Sequence, residues 1–169
     1  MATFRRERVE GATWFFTVAT YRRQRILDHP RSIAALRGAL RAVAARHPFS
    51  TVAMVILPDH LHAVWELPTG DANFALRWSL IKRVVSRDAG DLVAVPRSRS
   101  LHRRSERGFW QRRFWEHRIR DDADRQHHVD YVHFNPVKHR LVANACEWPY
   151  STVHRTIERG DLLPDWGSG

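Results

Sequence analysis

Val55-Ile56-Leu57-Pro58-Asp59-His60-Leu61-His62-Ala63-Val64-Trp65 is the stretch on which the reading of this chain turns. Its flanks are apolar and β-branched, and Pro58-Asp59 supplies turn chemistry between them. The pattern predicts a hairpin: one strand over about 51–57 and a second from His60 to Leu67. Side chains alternate along a strand, so His60 and His62 point to one face. Two imidazoles side by side are half a site for a divalent metal. A His-x-His pair alone is a weak signal, because histidines also serve as packing and hydrogen-bonding groups.

Working outward, Thr13-Trp14-Phe15-Phe16-Thr17-Val18-Ala19-Thr20 is rich in β-formers and reads as a strand. Ile33, Leu36, Leu40, Val43 and Ala44 recur at helical spacing between Pro30 and Arg46, and His47-Pro48 ends that helix. Phe74, Leu76, Trp78, Leu80, Ile81, Val84 and Val85 mark a second helix ending near Gly90. Phe109 to Ile119 alternates well enough for a fourth strand, and a last helix runs from about Asp121 towards Asn135. Asn135-Pro136 suits the cap and first position of a further turn. The predicted order is strand, helix, strand, strand, helix, strand, helix. It suits a single α+β domain over 1–169: a ferredoxin-like antiparallel sheet with helices packed on one face and the hairpin central. The tail over 147–169 is expected to pack on that domain.

The chain has 169 residues and 43% hydrophobic content with seven tryptophans, enough for a core of its own. No apolar run approaches the roughly 18 residues of a membrane span, and the N-terminal residues lack the apolar stretch of a signal peptide. Cys146 stands alone, which excludes a disulfide framework or a thiolate cluster within one chain. The formal charge is +10, and Lys82 and Lys138 are the only lysines. Such an arginine excess favours a polyanionic partner, because the guanidinium fork matches phosphate and base edges. The residues 96–108 carry five arginines and read as a basic loop able to follow a phosphate backbone. Arg5, Arg6, Arg22, Arg23, Arg97, Arg99, Arg103, Arg104, Arg112 and Arg113 are candidate DNA contacts. Trp65, Trp110 and Trp115 could stack unpaired bases, although for Trp65 and Trp115 the core is the better expectation.

The chemistry is suggested by Tyr131 and Asn135, which share a helix face at i and i+4. A tyrosine phenol has a reference pKa near 10 and needs help to attack at neutral pH. Two imidazoles and an amide oxygen would suit Mg²⁺ or Mn²⁺, Mn²⁺ tolerating imidazole better, with positions left for phosphate oxygens. His127-His128 are neighbours about 100° apart on the helix, so they read as surface, DNA-facing or packing groups. His29, His47 and His154 read as structural. There is no phosphate loop for a nucleotide cofactor and no Gly-x-Ser-x-Gly elbow.

Leu57-Pro58-Asp59-His60-Leu61-His62 resembles the HUH motif of single-tyrosine endonucleases and transposases. The segment from His127 to His139, HHVDYVHFNPVKH, closely resembles the tyrosine helix of REP-associated tyrosine transposases, and Phe114-Trp115-Glu116-His117 and Trp148-Pro149-Tyr150 look like other segments of that family. The resemblance covers nearly the whole chain. It implies a bacterial, cytoplasmic enzyme, nucleoid-associated when on DNA, that cuts and rejoins single-stranded DNA at REP-type hairpins through a 5′-phosphotyrosine. It implies Tyr131 as nucleophile and His60, His62 and Asn135 as metal ligands. It leans towards a monomer. Two alternatives stay open: a hairpin-binding protein that no longer cuts, and a metal phosphoesterase that uses water.

Overall fold

A computed structural model describes residues 7–94 and 108–168. Four strands, β1 (Thr13–Ala19), β2 (Ser50–Ile56), β3 (His60–Glu66) and β4 (Trp115–Arg118), form one antiparallel sheet in the order β2-β3-β1-β4. The helices are α1 (Pro30–Arg46), α2 (Phe74–Ala89), α3 (Asp122–Lys138) and the short α4 (Val153–Glu158). The α+β class and the central position of the His-x-His strand are therefore as the sequence predicts.

Alternation sorts the sheet into two faces. Trp14, Phe16 and Val18 of β1 join Leu61, Ala63 and Trp65 of β3 beneath α1 and α2. Trp65 stacks on Trp78 of α2 at 4.2 Å, and Phe16 meets both rings edge-on. Each such side chain contributes about 1.5–3 kcal/mol by leaving water. The other face carries Phe15, Ala53, Val55 and Val64, and there α3 packs through Val132. The helices thus lie on both faces of the sheet, not on one as the element order suggested. The reason is visible in β3: every residue from His60 to Trp65 is buried, so both of its faces need a cover.

Arg77 of α2 is 1% exposed and holds that layer together. Its guanidinium donates to both carboxylate oxygens of Asp71 and to the carbonyls of His47, Pro48 and Asn73. One planar fork thus ties the end of α1, the entry to β2 and the start of α2.

Asp121 caps α3 by accepting from the Asp124 N–H, and Asp122 and Asp124 complement the helix dipole in its first turn. Asn135-Pro136 does not start a separate turn. Both residues lie inside α3, and both are buried. The helix ends instead at His139, where the Leu141 N–H reaches Pro136 O and the Arg140 N–H reaches Val137 O. That is a Schellman closure with Arg140 in the left-handed region, φ 56°. The proline lacks only one N–H, and burial of the last turns outweighs the local bias against helix.

The fourth strand is shorter than the predicted 109–119. Phe109 and Trp110 are buried, and a single bridge pairs Trp110 with Thr20 before the chain leaves the sheet and returns at Trp115. The segment after α3 lies along the free edge of β2. The Trp148 indole donates to Ile56 O, the Ile56 N–H reaches Tyr150 O, and the Thr152 N–H reaches Met54 O. Covering an edge strand in this way blocks pairing with another chain. Among the described residues, no helix is long and apolar enough to cross a membrane.

Candidate active site

The register of the sheet decides what surrounds the two histidines. His62 lies opposite Thr17 of β1 and Val55 of β2, and His60 lies opposite Ala19. Both imidazoles face α3, their ring centres 4.8 Å apart, and both are 4% exposed. Thr17 Oγ1 is 2.9 Å from His62 Nδ1. Asp59 Oδ1 is 2.6 Å from His60 Nδ1, and Asp59 Oδ2 accepts from Arg23 Nε at 2.8 Å. Each ring thus has its Nδ1 held by an oxygen of a neighbouring side chain. That arrangement orients both rings and leaves each Nε2 as the free ligand atom. His62 Nε2 is buried with no hydrogen-bond partner among the described residues. Burial, with the nearby His60 and His139 charges adding to it, pushes the His62 pKa down to about 3. Burial also lowers that of His60, against the pull of Asp59. Neutral imidazoles are the form that binds metal.

α3 brings the other groups. The Tyr131 ring meets His62 at 5.2 Å and Phe15 at 5.8 Å, with Lys138 Nζ 4.6 Å from its centre. One turn beyond Asn135, the His139 ring meets His60 at 5.2 Å. Residues at i, i+4 and i+8 share a helix face, so Asn135 stands on the same face as Tyr131 and His139. Asn135 is fully buried, and its Oδ1 and Nδ2 both lack partners among the described residues. Buried polar atoms are nearly always satisfied. The orphaned Asn135 amide and His62 nitrogen therefore fit a cation held by His60, His62 and Asn135. A mixed imidazole and amide-oxygen set can take a divalent cation.

Not all the expected groups join this cluster. Arg23 reaches it through Asp59 and sits 3.1 Å from His60 Nδ1. Arg22 and Arg23 are exposed and both have φ near +55°, a strained backbone that sets the guanidinium of Arg23 on Asp59. Arg112 and Arg113 are exposed. Arg5, Arg6, Arg97, Arg99, Arg103 and Arg104, with the basic stretch 96–107, lie outside the described residues. Trp65 is in the core, but Trp115 is 56% exposed beside Tyr131, contrary to the expectation that it is buried. Edge strand β4 leaves its outer face uncovered there.

A second cluster went unread in the sequence. His117 of β4 and Asp124 and His128 of α3 place their donor atoms within 4.8 Å of one another. Asp124 accepts from the His117 ring at 2.9 Å and from the Arg120 N–H at 2.9 Å. The hydrogen bond from His117 first, and that from the Arg120 N–H with it, hold the Asp124 carboxyl below the usual carboxylate range. Such a trio could hold a cation, and its Asp124 already accepts from the His117 ring and the Arg120 N–H. His139 was likewise missed, although the i, i+4, i+8 spacing from Tyr131 was available as a signal.

No family model matches the chain. A REP-associated tyrosine transposase of Escherichia coli is 40% identical over 167 residues, covering 98% of this chain and 91% of that protein. A relative from Haemophilus influenzae is 39% identical over 170 residues, covering 99% of this chain and 94% of its own length. A solved structure of a REP-associated tyrosine transposase bound to a REP hairpin superposes with a TM-score of 0.83 at 39% identity. It covers 100% of this chain and 93% of that one.

Proposed function

The chain belongs to the REP-associated tyrosine transposases, and from that premise we propose that it cuts and rejoins single-stranded DNA beside a REP-type hairpin, with Tyr131 as nucleophile. The observation that carries this reading is the contact of Tyr131 with His62, whose buried Nε2 has no partner among the described residues. His60, His62 and Asn135 would hold one divalent cation, Mg²⁺ or Mn²⁺. When bound, it supplies positive charge against which a phosphodiester is oriented and its developing charge stabilised.

The chain's own residues do the rest. Tyr131 Oη attacks phosphorus, the bond from phosphorus to the 3′-oxygen breaks, and the product is a 5′-phosphotyrosine with a free 3′-hydroxyl. One ester replaces another, so no nucleotide cofactor is required, and a 3′-hydroxyl can reverse the step. Thr17 and Asp59 hold the imidazole rings in place, and Phe15 supports the Tyr131 ring. Exposed arginines hold the DNA backbone, and the enzyme works as a monomer on DNA in the bacterial cytoplasm, with the nucleoid.

The test is a covalent-adduct assay on an end-labelled oligonucleotide carrying a palindrome from the source genome's repetitive elements, with Mn²⁺ or Mg²⁺. A metal-dependent protein–DNA band, lost in Tyr131→Phe while hairpin binding persists, is the expected result. Cleavage that survives the substitution would instead mean hydrolysis by water. Tight binding without cleavage would make the chain a hairpin-binding protein.

A further inference from the structure

Tyr131 opens into a cavity of about 330 Å³ lined by Phe15, Thr17, Trp115, His127, His128 and Tyr131. His128 lies three residues before Tyr131, on the same side of α3. Phe15 floors the space and touches both rings, His128 at 4.8 Å and Tyr131 at 5.8 Å.

His128 is held with unusual care for a group on the rim of a cavity. Its Nδ1 is 2.8 Å from the Asp124 carbonyl oxygen and 3.0 Å from Asp124 Oδ1. Both are acceptors, so Nδ1 carries the proton and Nε2 keeps its lone pair. Nothing among the described residues bonds that Nε2. Asp124 is anchored in turn by His117 and by the Arg120 N–H, and the His117 ring stacks on His128 at 4.7 Å, 19° from parallel. A carboxylate fixes one nitrogen of an imidazole whose ring lines the same cavity as a phenol. That is the construction of a general base.

We propose that His128, oriented by Asp124, takes the proton of Tyr131 during cleavage and returns it during rejoining. This rests on Tyr131 being the nucleophile. As Tyr131 Oη bonds to phosphorus, its proton passes to His128 Nε2, and the departing 3′-oxygen takes a proton from water. In the reverse step a 3′-hydroxyl attacks phosphorus and loses its proton to water. The imidazolium then protonates the leaving Tyr131 oxygen.

The experiment is single-turnover adduct formation on the same palindrome oligonucleotide at saturating Mg²⁺, comparing wild type, His128→Gln and His128→Ala. Glutamine keeps a donor for Asp124 but is no base; alanine leaves a space that imidazole can enter. Both variants should be slower by about a hundredfold, the usual worth of a positioned base, with hairpin affinity unchanged. Added imidazole should accelerate His128→Ala and leave His128→Gln as it was. A His128→Gln protein at the wild-type rate would overturn the proposal. So would a slow His128→Ala that imidazole does not accelerate, or a loss of hairpin affinity that accounts for the slower rate. Absence of any adduct from wild type would instead sink the nucleophile reading itself.

Discussion

Asn135 is the residue whose physics most clearly opposes stability. An amide buried with neither atom bonded costs about 1–3 kcal/mol. Asn135→Leu, of similar size, should therefore raise the stability of the metal-free protein by about 1 kcal/mol in urea melts. The same change should weaken Mn²⁺ binding at least tenfold in a direct titration. A variant that is less stable and binds Mn²⁺ normally would show that Asn135 is a packing residue. The buried histidines make a second prediction. Burial depresses His62 to about 3 and His133 to about 4, the latter with help from the Arg155 charge. Between those values and the ordinary 6.5 the unfolded chain binds more protons than the folded one, so stability rises with pH in that window. Each histidine contributes a slope of about 1.4 kcal/mol per pH unit. Unfolding free energy measured without metal should thus fall steeply from pH 6.5 to 4.5, and His133→Gln should flatten the slope.

At the level of elements, α3 carries the proposed nucleophile, and its ending is its weak point. The Schellman closure asks Arg140 to adopt φ 56°, a conformation that costs a residue with a side chain about 1–2 kcal/mol. Glycine adopts it without strain but loses more freedom on folding, about 0.5–1 kcal/mol. Arg140→Gly should therefore stabilise by up to about 1 kcal/mol, read as a higher urea midpoint with an unchanged denaturant slope. Adduct formation should be retained, because Arg140 lies beyond the last turn that carries Asn135. A lower midpoint would mean that the Arg140 side chain contributes packing that its exposure does not suggest. Helix bounds were legible where caps and breakers spoke clearly: Pro30 opens α1 and His47-Pro48 follows it. They were not legible at Asn135-Pro136, where local preference favours a new turn and tertiary burial carries the helix straight through.

Across the whole molecule, charge and aromatic surface bear on DNA. The net charge is +10, and the exposed Trp115 stands beside Tyr131. If the arginines neutralise about five phosphates, hairpin affinity should fall about five hundredfold between 50 and 200 mM salt through counterion release. A nearly flat salt response would remove the basic surface as the DNA site.

Features that depend on local period were legible without the fold. The alternation around His60-Leu61-His62 placed two imidazoles on one face of a central strand. The 3.6-residue spacing drew α1 and α2, and the tyrosine segment announced the family. Which side of the sheet α3 covers emerged from long-range packing alone, and so did the details around the two histidines. Only the folded chain could show that Thr17 and Asp59 hold the two rings, that Trp115 stays in solvent, and that His117 and Asp124 clamp His128. Those facts depend on contacts between residues far apart in the chain, as Thr17 is from His62 and Asp59 from Arg23. Burial on both faces of β3 forced the choice, because a strand with two apolar faces must be covered twice, and no local pattern says which helix covers which face.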